Sequence, residues 1–195
     1  MITSILRELK PALLLFFWLT LLTGAVYPLG VTGLGGLLFP AQAQGSLLPG
    51  KELPAGVALI GQPFASERYF WSRPSATSPH EYNAAASSGS NLAPSNPALA
   101  EAVAGRIARL TKAHGPGPVP MDLVTSSGSG LDPHISVRGA AYQLDRVAKA
   151  RGLAPSELAA LAERHTQRPL LGFWGEARVN VLSLNLALDV LRGKE

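Results

Sequence analysis

The chain has 195 residues, a net charge of +4 and no cysteine. That length allows one membrane segment and one ordinary domain, and the missing thiols exclude a disulfide framework, a zinc–thiolate site and a thiol nucleophile. The basic residues are spread along the chain, which argues weakly for contact with anionic lipid and against a nucleic-acid partner.

Residues 11–50 carry no charged side chain. Their apolar part, Ala12–Phe39, exceeds the roughly 20 residues that a helix needs to cross a hydrocarbon core. The charges before it are Arg7, Glu8 and Lys10, and the next basic residue is Lys51. The positive flank is therefore N-terminal. It predicts residues 1–11 in the cytoplasm, a transmembrane helix over 12–39, a linker over 40–55 and an extracytoplasmic domain over 56–195. Ala41-Gln42-Ala43 has the small-x-small form of a signal-peptidase site, but the apolar run is far longer than that of a secretory signal. An anchor is the better reading. Tyr27-Pro28 and Gly30, Gly33, Gly35 and Gly36 break up the second half of the run, as a helix-packing surface or as a loop leaving the membrane.

Gln42–Pro54 reads as the linker. Val57–Ile60 suits a strand. Phe64, Tyr69, Phe70 and Trp71 surround Arg68, with Arg73-Pro74 directly after. These arginines could pin a carboxylate, although core packing with an exposed cation is the simpler account. Thr77–Pro97 is too long and too polar for a routine connection, so it is a binding loop or a mobile one. Asn96-Pro97 then caps and opens a helix, with Leu99, Val103, Ile107 and Leu110 at helical spacing and Gly115 closing it. Met121–Thr125 resembles a strand. Ser136 caps a helix that carries Ala140, Leu144 and Val147 on one face and stops at Gly152. Pro155 opens another, through Leu158 and Leu161 to about His165. Arg178–Leu182 reads as a strand, after which Ser183 caps a final helix ending at Gly193. Asn180 and Asn185 fall near that junction and suit structural hydrogen bonds to the backbone of the serine–glycine loops. The fold class is one N-terminal transmembrane helix plus a single α/β (α+β) domain with a small sheet and packed helices.

Two polar loops nearly repeat each other: Ser87-Ser88-Gly89-Ser90-Asn91-Leu92 and Ser126-Ser127-Gly128-Ser129-Gly130-Leu131. Consecutive backbone N–H groups freed by glycine, with added hydroxyls, form a nest suited to an anion, and the serine oxygens could instead accept from a cation. Neither loop is a P-loop, and no Gly-x-Ser-x-Gly elbow exists. The plain alternative is a pair of tight turns capping helices and holding each other in place. Ser87, Ser88, Gly89, Ser90 and Asn91 are the candidate ligand or nucleotide-contact residues. Ser127, Gly128, Ser129, Gly130, Asp132 and His134 form the second polar set. Asp132 and His134, with Ser129 or Ser90, hold the ingredients of a membrane-anchored serine hydrolase. Neighbours one residue apart seldom form that triad, so Asp132 is better read as a turn residue before Pro133 and His134 as a structural histidine. His80, His114 and His165 show no metal-ligand spacing. No catalytic residue, metal ligand or cofactor of its own is expected for this chain.

Six stretches together are similar to a known family. They are Gly61–Phe64, Tyr69–Ser75, Ser87–Pro97, Thr125–Ser136, Gln143–Gly152 and Gly175–Asp189. The chain resembles the C subunit of the Kdp-type potassium-transporting P-type ATPase, the KdpC family. Ser87 stands where relatives often have glutamine, so a glutamine role there does not carry over. The resemblance implies an accessory subunit of an ATP-driven potassium importer in the inner (plasma) membrane of a bacterium. Its implied partners are a channel-like potassium-translocating subunit, a P-type ATP-hydrolysing subunit, a small membrane peptide and the lipid bilayer. ATP and K+ would be handled by the complex. The family is described as a catalytic chaperone that raises the ATP affinity of the hydrolysing subunit, and its Ser-Gly-Ser loop has been likened to the ABC ATPase signature. The charge-derived topology conflicts with direct nucleotide contact, because it separates the serine loops from cytoplasmic ATP by a bilayer. An indirect effect is the consequence: the span packs on the translocating subunit and the outer domain sits over its external mouth, stabilising the assembly.

Overall fold

A computed structural model describes residues 2–50 and 55–192. Lys51 and Pro54 of the expected linker, and Gly193 as a helix end, lie outside the described residues. The chain divides into two units, Met1–Leu47 and Leu48–Glu195.

The first unit is helical: α1 (Ile2–Leu21), a π-helical turn (Leu22–Val26), α2 (Tyr27–Leu38) and the single turn α3 (Pro40–Ala43). The glycine-rich half is helix, not loop. Arg7–Leu38 is a 32-residue helical stretch whose most apolar 18 residues have a mean hydropathy of 1.9, none of them buried. Pro28 explains the π turn. In a regular helix its ring would meet the Gly24 carbonyl and leave that carbonyl without a donor. Widening one turn, with Tyr27 N–H donating to Leu22 C=O, lets the helix absorb the proline.

The second unit begins with two-residue strands, β1 (Leu47–Leu48, entered from the first unit) and β2 (Gly56–Val57). It continues with α4 (Pro97–His114), a 3-10 turn (Met121–Leu123), β3 (His134–Ser136), α5 (Val137–Arg151), α6 (Pro155–Arg164), β4 (Thr166–Gln167), β5 (Arg178–Asn180) and α7 (Val181–Arg192). β5 is the centre of a three-stranded antiparallel sheet of order β3-β5-β4, with Ile135 and Thr166 both opposite Val179. Asn96 Oδ1 accepts from Ala98 N–H at 3.0 Å and Ser136 Oγ from Gly139 N–H at 2.8 Å, so both expected N-caps form. Gly152 closes α5 at φ +69°, the left-handed conformation glycine adopts without strain. Asp122 reinforces the Ser136 cap, accepting from its N–H at 2.7 Å and its hydroxyl at 3.1 Å.

Several expectations are corrected. Val57–Ile60 is strand only as far as Val57, and Met121–Thr125 is a 3-10 turn, not a strand. β5 ends at Asn180, and α7 begins at Val181. Its cap is Asn180, whose Oδ1 accepts from Ser183 N–H at 2.9 Å; alternation from Val179 to Leu184 hid that helix start. On α4 only Leu110 is buried, and Ile107 stays 40 % exposed. The core joins Leu110, Ile135, Val147, Leu158, Val179, Leu184 and Leu188.

Phe70 and Trp71 lie in that core without belonging to any sheet. Their backbone is held by side-chain amides. Asn185 Oδ1 accepts from Phe70 N–H at 2.9 Å, and its Nδ2 donates to Phe70 C=O at 3.0 Å. Gln143 repeats the pattern at Trp71, at 2.7 and 3.1 Å. Arg146 donates to the carbonyls of Glu67 and Tyr69, and Arg151 to that of Arg68 at 2.6 Å. Both guanidiniums are buried. Arg146 lies 4.1 Å over the Trp71 ring and Arg151 4.8 Å over that of Tyr69, and Arg151 also pairs with Asp189 at 2.8 Å. Burial pushes the Arg146 guanidinium down to about 10, against the opposing pull of Glu67.

His114 completes this cluster. Arg146 Nε–H donates to its Nε2 at 2.8 Å, so Nε2 is unprotonated and Nδ1–H donates to Leu110 C=O at 2.9 Å. Burial lowers the His114 pKa; its bond to Leu110 opposes this and the Arg146 charge adds to it.

These contacts set two expected outcomes. Asn185→Leu preserves volume but strands the buried N–H and C=O of Phe70, and should cost about 2 to 5 kcal/mol in denaturant unfolding of the full chain in detergent. The second concerns pH. Because folded His114 binds its proton less readily than the unfolded chain, its stabilisation is complete above about pH 6.5 and is lost as pH falls toward the folded value. Thermal melts of His114→Gln should therefore fall less steeply on acidification below about pH 6.5 than those of the natural chain. A residual slope should persist, because burial and Arg164 also lower the pKa of His165.

Candidate functional site

The two serine–glycine loops meet face to face. Ser129 C=O accepts from both Ser88 N–H and Ser87 Oγ–H at 3.0 Å. A Cβ on Gly130 would stand 2.5 Å from Ser88 O, and one on Gly89 would stand 2.9 Å from Gly128 O. Gly130 also sits at φ +67°, so backbone shape and close approach both require glycine there.

The second loop uses its hydroxyls internally. Ser127 Oγ accepts from Gly130 N–H at 2.9 Å, and Ser129 Oγ from Leu131 N–H at 3.1 Å. Those two N–H groups are thereby taken from any anion nest. β3 separates this loop from the N-terminus of α5. The long segment that begins at Thr77 is tied to the same cluster. Ser75 Oγ donates to Gly130 C=O at 2.7 Å and accepts from Tyr82 N–H at 3.0 Å, and Thr77 Oγ1 accepts from Asn83 N–H at 3.0 Å. In the first loop Ser88 Oγ donates to Gly89 C=O at 3.1 Å, Ser90 is exposed, and Asn91 takes a left-handed φ of +51°.

Asp132 lies beside this clasp. Its Oδ1 accepts from His134 N–H at 3.0 Å and faces His134 Nδ1 at 3.1 Å, while Oδ2 pairs with Arg73 at 2.9 Å. Burial works to raise the Asp132 pKa, but the His134 contacts and the Arg73 guanidinium together hold it below the ordinary value. Asp132 is thus the turn residue expected before Pro133, and Arg73 pins a carboxylate where an exposed cation was the simpler account. No serine hydroxyl bonds His134 among the described residues, so the ingredients of a hydrolase triad are not assembled. The described residues also contain no group of three His, Asp or Glu side chains able to hold a metal ion.

Two open cavities flank Arg73. One, of about 320 Å³, is lined by Phe64, Trp71, Glu101, Arg106 and Arg109, and the other, of about 240 Å³, by Asp122, Asp132, His134, Glu176 and Arg178. Arg73 lines both, and its Nε is buried without a partner. The mutual contact is the one expected of two tight turns that hold each other in place, the plain alternative to a ligand nest. The signal was present in the near-repeat itself: two glycine-bearing turns can approach closely enough for backbone-to-backbone bonding. Gln143, Arg146 and Arg151 were missed as a set, because polar and charged side chains on a helix ordinarily read as solvated.

Residues 9–190 match the family model described as KdpC: K+-transporting ATPase, c chain. The chain is 60 % identical over 184 residues to a protein of Methylibium petroleiphilum named Potassium-transporting ATPase KdpC subunit, covering 93 % of this chain and 96 % of that one. Proteins of the same name from Polaromonas naphthalenivorans and Methylococcus capsulatus are 59 and 57 % identical, over 94 and 96 % of this chain and 95 and 100 % of theirs. The match takes in the apolar helix, the clamped aromatic segment and both serine loops, and the chain belongs to the KdpC family of K+-transporting ATPase c chains.

Proposed function

We infer that this chain is an accessory, non-catalytic subunit of a potassium-importing P-type ATPase, held in the membrane by the helix over Arg7–Leu38. The observation that carries this reading is the similarity to potassium-transporting ATPase KdpC subunits over more than nine-tenths of both chains. A subunit without chemistry of its own also accords with a second loop whose Ser127 and Ser129 hydroxyls are bonded internally and whose Ser129 carbonyl is taken by the first loop.

The domain lies on the extracytoplasmic side in this proposal, because Arg7 and Lys10 precede an uncharged run and favour an inward N-terminus. From there it sits over the outer mouth of the translocating subunit, with the apolar helix packed on that subunit's membrane face. It acts on ATP turnover through the assembly, not through a nucleotide held at Ser87–Asn91. Ring-like oxygen coordination for selecting K+ is left to the translocating subunit.

Two experiments test the proposal. Ser88 is exposed, so a Ser88→Cys chain should react with a membrane-impermeant maleimide in intact spheroplasts; labelling only after lysis overturns the orientation. In the assembled pump, the triple replacement Ser88→Ala, Ser90→Ala and Asn91→Ala should leave the apparent ATP affinity unchanged. A severalfold loss would assign the first loop to nucleotide.

A further inference from the structure

Most exposed apolar side chains of the domain are scattered singly, but Leu170, Leu171, Phe173 and Trp174 are 67, 75, 77 and 70 % exposed within one loop. Every residue from 170 to 176 is exposed. The loop is nonetheless closed on itself. Leu170 N–H donates to Trp174 C=O at 3.0 Å, Trp174 N–H returns to Leu170 C=O at 2.9 Å, and Gly172 N–H donates to Pro169 C=O at 3.1 Å. Its base is fixed, since it leaves β4 and enters β5, the central strand. An ordered tip therefore holds four large apolar side chains in water, a pattern disfavoured in a soluble domain unless something covers it.

Three features select the cover. The tip joins tryptophan and phenylalanine to leucines, the composition that settles at the boundary of headgroups and acyl chains. Its base carries Arg164, Arg168 and Arg178 against Glu163 and Glu176, and Arg168 already pairs with Glu163 at 2.9 Å. The remaining positive charge complements anionic headgroups. Finally, the apolar helix of the same chain brings a bilayer within reach, because the connecting residues 39–55 span at most about 60 Å when fully extended. Tethering makes a weak second contact effective.

We propose that the loop over residues 169–175 is a second membrane contact, its Leu-Leu-Gly-Phe-Trp tip inserted at the interface of an anionic bilayer. The proposal rests on the membrane-anchored reading but is independent of which face the domain occupies and of any contact with pump subunits.

The test uses the full chain in nanodiscs of phosphatidylethanolamine and phosphatidylglycerol, with and without acyl-chain bromination. In a Trp18→Phe chain, emission comes from Trp174 and from Trp71, which is buried in the core. Brominated discs should quench the Trp174 component, and Leu171→Asp with Phe173→Asp should abolish that quenching while leaving the thermal unfolding of the domain unchanged. Unquenched, solvent-like Trp174 emission overturns the proposal. So does a Trp174 blue shift that appears only in the assembled pump without bromine quenching, which would assign the tip to a protein partner. The chain with Trp18 retained separates the two readings. Quenching of Trp18 without Trp174 overturns the loop contact alone, and quenching of neither overturns the membrane anchor as well.

Discussion

The domain depends on one constraint: a stretch of irregular backbone, Glu67–Trp71, runs against the core with no strand beside it. Buried peptide groups need partners, and a three-stranded sheet with strands of two or three residues is too small to offer them. Two helices supply the bonds sideways. Gln143, Arg146 and Arg151 reach out from α5, and Asn185 from α7, so that each carbonyl from Glu67 to Trp71 accepts from a side chain. The two amides present a donor and an acceptor together, as a neighbouring strand would. The arginines bring charge inside, and carbonyl dipoles, the Trp71 and Tyr69 rings and Asp189 compensate it.

This clamp also positions the chain that leaves it. Once Trp71 is fixed, Ser72 Oγ donates to Gln62 C=O at 2.8 Å, Arg73 pairs with Asp132, and Ser75 binds Gly130 C=O at 2.7 Å. The last two bonds tie the outgoing chain to the second serine loop and its flank, and the first loop is then held by Ser129. A polar region almost without regular structure is thereby ordered from the core outward. Loss of the clamp should therefore loosen the loops as well as the aromatic segment, although the two share no residue.

Legibility divided along physical lines. Helix ends other than the start of α7 were readable, because Asn96, Ser136, Gly115 and Gly152 act through local backbone chemistry that needs no tertiary partner. Strand ends were not. Ala58–Ile60 and Met121–Thr125 have strand-forming composition but pair with no strand, whereas Thr166–Gln167 pairs because β5 is there. Asn180 and Asn185 were legible as structural residues, but not their targets, Ala58 C=O and the Phe70 backbone. The clamp was hidden for a further reason. Gln143 and Arg146 flank a helix face already accounted for by Ala140 and Val147, and Arg151 lies on that face one turn beyond Val147, so these buried polar residues left no periodic signature of their own.

That hidden clamp also explains how family resemblance and physical reading fit together. The stretches Tyr69–Ser75, Gln143–Gly152 and Gly175–Asp189 carry the likeness, and they are the three sides of the clamp: the held backbone, the α5 donors and the α7 amide with Asp189. A motif of this kind resembles a catalytic signature, since it gathers glutamine, arginine, asparagine and aspartate around tryptophan and tyrosine. Its chemistry is nevertheless complete within the chain: nearly every donor in it already has an acceptor, and the Arg146 and Arg151 cations are shielded by rings and carbonyls. Such a site does not turn over a substrate. It fixes an irregular surface, and a non-catalytic subunit of a multi-subunit potassium-transporting ATPase needs that rigidity more than it needs a reactive group.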